Sequence, residues 1–441
     1  MSEHWISTTL GEYILFKNGK SSPSRDIAED IPVYGSNGII GFSSESNAEE
    51  DSLIIGRVGS YCGSVYHSKK KCWVTDNAII GLPKVKGESE FWYFLLTKLQ
   101  LNSYRSGSGQ PLVNQSTLNS IPVEIPKSPS VRQAIGKQLF SFENKIYLNN
   151  QINQTLESIA QALFKSWFID FDPVRAKIAA KQEGNDPELA AMCAISGKSE
   201  VELEQMSEGD FAELQATAAL FPDELVESEL GEVPKGWEIG CVGDIATVRG
   251  GYAFKSLQFV DKGYPVIKIK NITGDGKVDI QDTQCIEEKT AQIASKFILN
   301  DSDLVMAMTG ATVGKIGLVN TYGKLVYLNQ RVAKFESDTF GNKVGYYLFC
   351  LFNRSEYFEQ IVGTAQGSAQ PNISSSGIES TRIIVPNFEV INLFIRKVDS
   401  IFQYWLENGS VNNTLREVRD TLLPKLLSGD VDVSNVKESL A

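Results

Sequence analysis

The 441-residue chain carries 42 lysines and arginines against 54 acids, a formal charge of −12, and 42% of its residues are apolar. That length suggests about three units of ~150 residues, and that apolar share suits a globular core. No stretch approaches the ~20 apolar residues of a bilayer span, and the opening MSEHWISTTLGE is too polar for a signal peptide, so a cytoplasmic chain without membrane contact is expected.

Residues 1–130 read as a strand-rich domain. Short apolar runs at Ile31–Tyr34, Leu53–Val58 and Ala78–Leu82 are separated by Gly, Asn, Ser and Pro, the punctuation of short strands and turns. An aromatic stretch, Glu90–Leu101, predicts a helix late in the domain.

The period changes in the next segment, 131–180. Val131, Ile135, Leu139, Phe142 and Ile146, then Ile152, Leu156, Ile159, Leu163 and Trp167 recur at threes and fours. This spacing predicts one amphipathic helix over Val131–Phe168, ~38 residues or roughly 57 Å at 1.5 Å per residue. A helix that outruns its own small domain needs a partner.

Residues 181–236 come next, acidic and helix-prone at Asp186–Ala194, Ser199–Met206 and Gly209–Leu220. They end in FPDELVESELGEVPKGW, read as an extended connector. Between Lys181 and Lys235 there are 14 acids, three lysines and no arginine, so nearly all of the net charge is local. An acidic docking surface and a solvated linker both fit.

Residues 237–388 read like the first domain, with strands at Pro265–Ile269, Asp303–Met308 and Leu325–Leu328 and a helical insert at Lys343–Phe358. The last segment, 389–441, repeats the helical period from about Val390 to Leu427, with Val418 on its stripe and Pro424 near its end as a possible kink. The two helices are expected to pair antiparallel as a spacer. The fold class is α+β, two strand-rich domains joined by that helix pair.

The chain therefore states one pattern twice. Trp5 and Gly11 answer Trp237 and Gly243 at an offset of 232; Gly59 and Gly63 answer Gly310 and Gly314 at 251; SGQP (108–111) and Pro126 answer SAQP (368–371) and Pro386 at 260. Lys165 and Asp170 answer Lys425 and Asp430 at that same offset. The ends of the copies are fixed and the insertions lie inside.

No motif supplies a catalytic centre. GATVGKIG (310–317) has three residues between Gly and Gly-Lys where a phosphate loop needs four, and Ile316 follows where a hydroxyl should bind magnesium; a tight glycine turn is the expected role. GSNGIIG (35–41) lacks the dinucleotide spacing. His4 and His67 are the only histidines, and neither is duplicated, which argues against a histidine triad and a metal site. Six scattered cysteines without a CxxC pair read as structural thiols.

What remains are polar, glycine-rich loops at equivalent places in both copies, carrying groups that hydrogen-bond base edges and phosphates. The first-copy candidates are Lys17, Lys20, Asn37, Arg57, Ser60, Tyr61, Arg105 and Gln110. Those of the second copy are Arg249, Tyr252, Lys255, Lys268, Lys270, Thr312, Lys315, Arg331 and Gln370.

Three longer segments, LFKSWFIDFDPVRAK (163–177), ATAALFPDELVESELGEVPKGWE (216–238) and TLLPKLLSGDV (421–431), together with the repeat, resemble the specificity subunits of type I restriction–modification systems over nearly the whole chain. The resemblance implies two target recognition domains, each reading half of a split double-stranded DNA sequence, and a coiled-coil spacer. It also implies two modification subunits that methylate adenine with S-adenosylmethionine and two restriction subunits that use ATP and magnesium, with no cofactor on this chain itself. Two rivals remain. A free-standing enzyme would show methyl transfer or cleavage by the purified chain. A coiled-coil scaffold without direct DNA reading would show no duplex binding in the assembled complex.

Overall fold

The computed structural model describes residues 5–105, 112–365 and 371–431. The chain forms two compact units, one running to Leu148 and resuming at Asn412, the other Asn149–Val411.

In the first unit, four antiparallel strands lie in the order Ile14–Asn18, Ala78–Pro83, Ser52–Gly56, Val65–Ser68. In a three-stranded sheet Ile31–Gly35 is central, pairing antiparallel with Gly38–Ser43 and in parallel with Trp73–Val74. Ser52–Gly56 is buried along its length because both its faces are covered. Leu53 and Ile55 join Phe91, Trp92 and Leu96 of the helix Ser89–Lys98, while Ile54 joins Tyr34, Val74 and Ile80. Two-sided burial explains why the sequence shows a continuous apolar run there and not an alternation; each such side chain contributes about 1.5–3 kcal/mol. The domain is closed by its own ends, Trp5–Thr9 pairing with Pro122–Pro126.

The first long helix, Pro129–Phe168, is anchored where it begins. Arg132, 1% exposed, donates to the Glu88 carboxylate at 2.7 Å and to the carbonyls of Pro126 (2.6 Å) and Lys127 (3.1 Å). Glu88 also accepts from Trp92 Nε1 at 3.0 Å. Within this unit Ile135 and Leu139 share a core with Leu426 and Leu427 of the second long helix, Phe388–Ser428, and Glu143 pairs with Arg419. Rising numbers on one helix meet falling numbers on the other, so the pair is antiparallel.

The second unit shows the same sense of pairing. Asn153 donates to the Trp405 carbonyl and accepts from Asn408, both at 2.9 Å, and Phe164 and Phe168 meet Phe394 with centroids 5.7 and 5.3 Å apart. The buried face runs through Asn153, Ala160, Phe164 and Trp167. Ile159 and Val418, expected on the apolar stripes, are 49% and 38% exposed, because a 3.6-residue turn carries the contact face past them onto neighbouring small and polar residues. Pro424 lies inside the helix, which continues to Ser428.

The first helix stops at Phe168, and the words LFKSWFIDFDPVRAK explain why. Phe171 takes a left-handed φ of 55° and Pro173 opens a new helix, Asp172–Glu183, as suits a residue whose missing N–H would be orphaned anyway. Lys165 pairs with Asp170, Arg175 Nε donates to the Asp170 carbonyl at 3.0 Å, and the buried Lys177 ammonium reaches Glu188 (2.7 Å) and the Phe221 carbonyl (2.8 Å). The segment is therefore more than a solvated linker. Helices Pro187–Ser196, Glu200–Glu204 and Glu208–Ala219, capped by Asp186, Ser199 and Ser207, enclose Ala191, Met192, Leu203 and Ala218. The expected extended connector is a hairpin, Leu225–Ser228 with Gly231–Pro234, because Gly231 at φ 93° lets the chain reverse over Glu229 and Leu230.

The second strand-rich domain has a five-stranded sheet in the order Thr247–Gly250, Val332–Glu336, Leu304–Ala307, Ile316–Leu318, Gly276–Lys277. A second five-stranded sheet holds Tyr264–Ile267 and Val326–Leu328 side by side in parallel. The expected single insert is two helices, Val344–Phe352 and Ser355–Gly363, with Asn353 and Arg354 between them. Glu238–Cys241 closes the domain on Arg382–Val385.

Candidate nucleic-acid interface

The loops singled out in the sequence gather at one end of the strands in each domain, by the same hydrogen bonds. In the first copy Arg57 N donates to the Asn77 carbonyl, Val113 N to the Arg57 carbonyl and Gly63 N to the Gly56 carbonyl, at 2.8–3.0 Å. In the second, Met308 N donates to the Arg331 carbonyl, Ile373 N to Met308 and Gly314 N to Ala307, at 2.9–3.0 Å. Lys20 bridges Thr75 in parallel as Tyr252 bridges Asn329, and Val58 bridges Leu112 as Thr309 bridges Asn372. The sequence repeat is thus a repeat of backbone contacts.

Glycine is required at two places in this frame. Gly59 and Gly63, like Gly310 and Gly314, all hold φ between 78° and 86°, a region costly for other residues. They form the tight turn that follows each central strand. Gly19 and Gly251 lie against backbone, where an added Cβ would sit 2.0 Å from the Thr75 carbonyl and 2.2 Å from the Leu328 carbonyl.

The side chains divide by what they already hold. In the first copy Lys17, Lys20, Asn37, Ser60, Tyr61 and Arg105 are exposed, and among the described residues none of the cationic three makes an ion pair. Arg57 is half-buried, with Nη1 3.3 Å from the Asp76 carbonyl and Nε buried without an acceptor among the described residues. Ser36 Oγ donates to the Asn77 carbonyl at 2.7 Å, which brings the Asn37 turn beside Arg57. The Asp76-Asn77 turn escaped the sequence reading, although an offset of 254 sets Asn77 against Arg331.

In the second copy three cations are engaged internally. Arg249 pairs with Glu336 at 3.0 Å and Lys270 with Asp282 at 3.0 Å. Lys268 bonds Gln284 and stands 3.3 Å from the centre of the Phe259 ring; burial, with the neighbouring Lys270 charge, holds its pKa below the usual lysine value. Tyr252 is half-buried between Phe254 and Phe297, with centroids 4.9 and 5.6 Å away, so its ring packs in the domain. Lys255, Lys315 and Arg331 make no ion pair among the described residues, and the Thr312 hydroxyl is buried with no partner among them. Gln110 and Gln370 lie outside the described residues.

Among the described residues of these loops no nucleophile meets a base, and no group of three or more His, Cys, Asp or Glu suited to a metal occurs among the described residues. Among the described residues no helix is long and apolar enough to cross a membrane. The fold and loops define a class: a duplicated recognition chain with two loop platforms carried on paired helices.

Comparison with known proteins fixes the family. The family model for the type I restriction modification DNA specificity domain matches twice, at residues 2–158 and 234–403, and the chain belongs to that family as a specificity subunit. Its sequence is 34% identical over 385 residues to the type I restriction enzyme HindI specificity subunit of Haemophilus influenzae, covering 82% of this chain and 81% of that one. It is 25% identical over 361 residues to the MjaIX specificity subunit of Methanocaldococcus jannaschii, covering 80% and 72%. In fold it is similar to the crystal structure of a type I restriction–modification S subunit from M. genitalium, with a TM-score of 0.59, 13% identity and 97% of each chain covered.

Proposed function

We propose that this chain reads a bipartite duplex DNA target, each strand-rich domain (residues 1–130 and 237–388) reading one half-site, with the paired helices as spacer. Catalysis lies on its partners: two modification subunits that methylate adenine with S-adenosylmethionine, and two restriction subunits driven by ATP and magnesium. The observation that carries this reading is the duplicated loop platform, one backbone frame with different side chains in each copy. A common frame with Lys17, Lys20, Asn37 and Arg57 on one platform and Lys255, Thr312, Lys315 and Arg331 on the other suits two readers with different preferences. The ion pairs of Arg249 and Lys270 give those residues a structural role first.

The test exchanges residues 237–388 for the equivalent segment of a relative and maps methylated adenines in the assembled complex. One half of the target changes and the other stays. Change in both halves, or in neither, refutes independent readers. Absence of duplex binding by the assembled complex would favour the scaffold reading.

A further inference from the structure

Resting on that reading, we propose that Arg57 reads one guanine of the first domain's half-site through the major groove. The backbone fixes where this side chain starts. Arg57 follows the buried strand Ser52–Gly56; its N–H donates to the Asn77 carbonyl at 2.9 Å, and its carbonyl accepts from Val113 N at 3.0 Å and Cys62 Sγ at 3.3 Å. Gly56 lets two turns meet beside it, since an added Cβ would sit 2.3 Å from the Tyr61 carbonyl and 2.8 Å from that of Ser36. Ser36 in turn bonds the Asn77 carbonyl. Arg57 therefore stands where the turns carrying Asn37, Tyr61 and Asn77 converge.

The guanidinium is held but not neutralised. Its Nε is buried without an acceptor, its Nη1 lies 3.3 Å from the Asp76 carbonyl, and no carboxylate pairs with it among the described residues. Arg132 also has a buried, unbonded Nε, but there the Glu88 carboxylate supplies the counter-charge. A charged donor left short of acceptors is costly in the free chain, and a ligand that brings acceptors recovers that cost. A phosphate needs only a positive charge, which the exposed Lys17 and Lys20 already offer. The held fork adds direction. With Nε buried and one Nη1 hydrogen on Asp76, the end of the fork presents two donors, from Nη1 and Nη2. In the major groove only guanine answers with two acceptors, O6 and N7; adenine sets a donor beside its acceptor, thymine offers one acceptor and a methyl, and cytosine a donor. The second copy carries other chemistry on the same frame: Met308, 8% exposed, takes the place of Arg57, and Arg331 takes that of Asn77. The side chain at this strand end thus differs between the two readers, as a specificity position requires.

The experiment uses the full-length chain assembled with its modification subunits, on duplexes carrying the target found by mapping methylated adenines. The first half-site is the half that stays when residues 237–388 are exchanged. Two perturbations meet at one contact. Arg57→Lys keeps the charge and removes the fork; 7-deazaguanine, placed at each guanine of the half-site in turn, removes the N7 acceptor and leaves the protein untouched. At one guanine position the wild-type complex should bind 7-deazaguanine at least about threefold more weakly. Arg57→Lys should lower selectivity at that same position by about fivefold or more, lose the 7-deazaguanine effect there, and keep the wild-type salt slope. A first half-site without guanine on either strand, or 7-deazaguanine without effect at every position, overturns the proposal and leaves the two-reader model intact. An unchanged target with Arg57→Lys does the same. Arg57→Ala that lowers the salt slope by about 1 and weakens all sequences alike marks a phosphate contact and also overturns it. A thermal midpoint lowered by more than about 5 °C in both Arg57→Lys and Arg57→Gln overturns it too, since the guanidinium would then be structural. Absence of duplex binding by the wild-type complex overturns both readings.

Discussion

The Arg132–Glu88 pair should be the most expensive polar contact in the first unit to break from one side. Replacing Glu88 by alanine leaves a guanidinium that is 1% exposed with two backbone carbonyls but no counter-charge. Breaking one side of a buried pair costs about 3–5 kcal/mol. The Trp92 indole N–H also loses its acceptor, which adds about 1 kcal/mol. At roughly 2–4 °C per kcal/mol for a domain of this size, the first unit should melt on the order of 10 °C lower. Replacing both partners, Glu88→Leu with Arg132→Met, should recover a large part of the loss. It should not recover all of it, because Pro126, Lys127 and Trp92 keep unpaired groups. Scanning calorimetry with urea titration of wild type, Glu88→Leu, Arg132→Met and the double variant closes the double-mutant cycle, with Glu88→Ala measured beside them. A loss below about 1 kcal/mol for Glu88→Ala, or a double variant no better than the single one, would refute the argument that the buried charge dominates.

Lys20→Ala and Lys255→Ala should each lower the slope of log affinity against log salt by about 1, and Lys270→Ala by less because Asp282 already holds it; anisotropy titrations of the assembled complex on duplex DNA measure this. Gly314→Ala should cost about 1–2 kcal/mol for its left-handed φ of 80°. Crowding by Phe358 and Val362, each 2.9 Å from the new Cβ, should add about 1–3 kcal/mol, read by chemical denaturation. His67 is held below its ordinary pKa of 6.5, first by burial, although the nearby Asp51 carboxylate opposes this. The unfolded chain then binds the proton more readily, so stability is lost as pH falls from about 6.5 through the folded-state value. Thermal midpoints between pH 7.5 and 5 should fall less steeply for His67→Gln than for wild type.

Much of this architecture was legible because duplication makes a sequence its own comparison. Offsets of 232 and 251 paired positions that proved to be the closing strands and the glycine turns, each a matching set of hydrogen bonds, and the offset of 260 paired the two helix ends. The long helices were legible from their period, and Ile135, Leu139, Ile146, Trp167, Val398 and Phe402 are buried where it places them, but part of the contact face was not. Hydrophobicity pointed to Ile152 and Ile159, whereas packing buries Asn153 and Ala160, where small and amide side chains let the helices approach. The hairpin at Leu225–Pro234 was missed because Glu229 and Leu230 are weak turn formers and Gly231 alone carries the signal. The candidate loops were found, but their chemistry was only partly readable. Whether Arg249 or Lys270 is free depends on Glu336 and Asp282, which lie beyond the reach of a local pattern.

Each strand-rich domain joins the rest of the chain through a neck made of its own first and last strands, Trp5–Thr9 on Pro122–Pro126 and Glu238–Cys241 on Arg382–Val385. The chain therefore enters and leaves each domain side by side. Everything between the two strands of a neck behaves as one closed loop, and lengthening such a loop costs only about 0.6 kcal/mol per doubling. The second copy is 28 residues longer than the first between the corresponding tryptophan and proline, the offset rising from 232 to 260. Selection can thus lengthen, prune or replace whatever hangs from a neck while the helices below keep their packing, so new target sequences become reachable without rebuilding the assembly that acts on them.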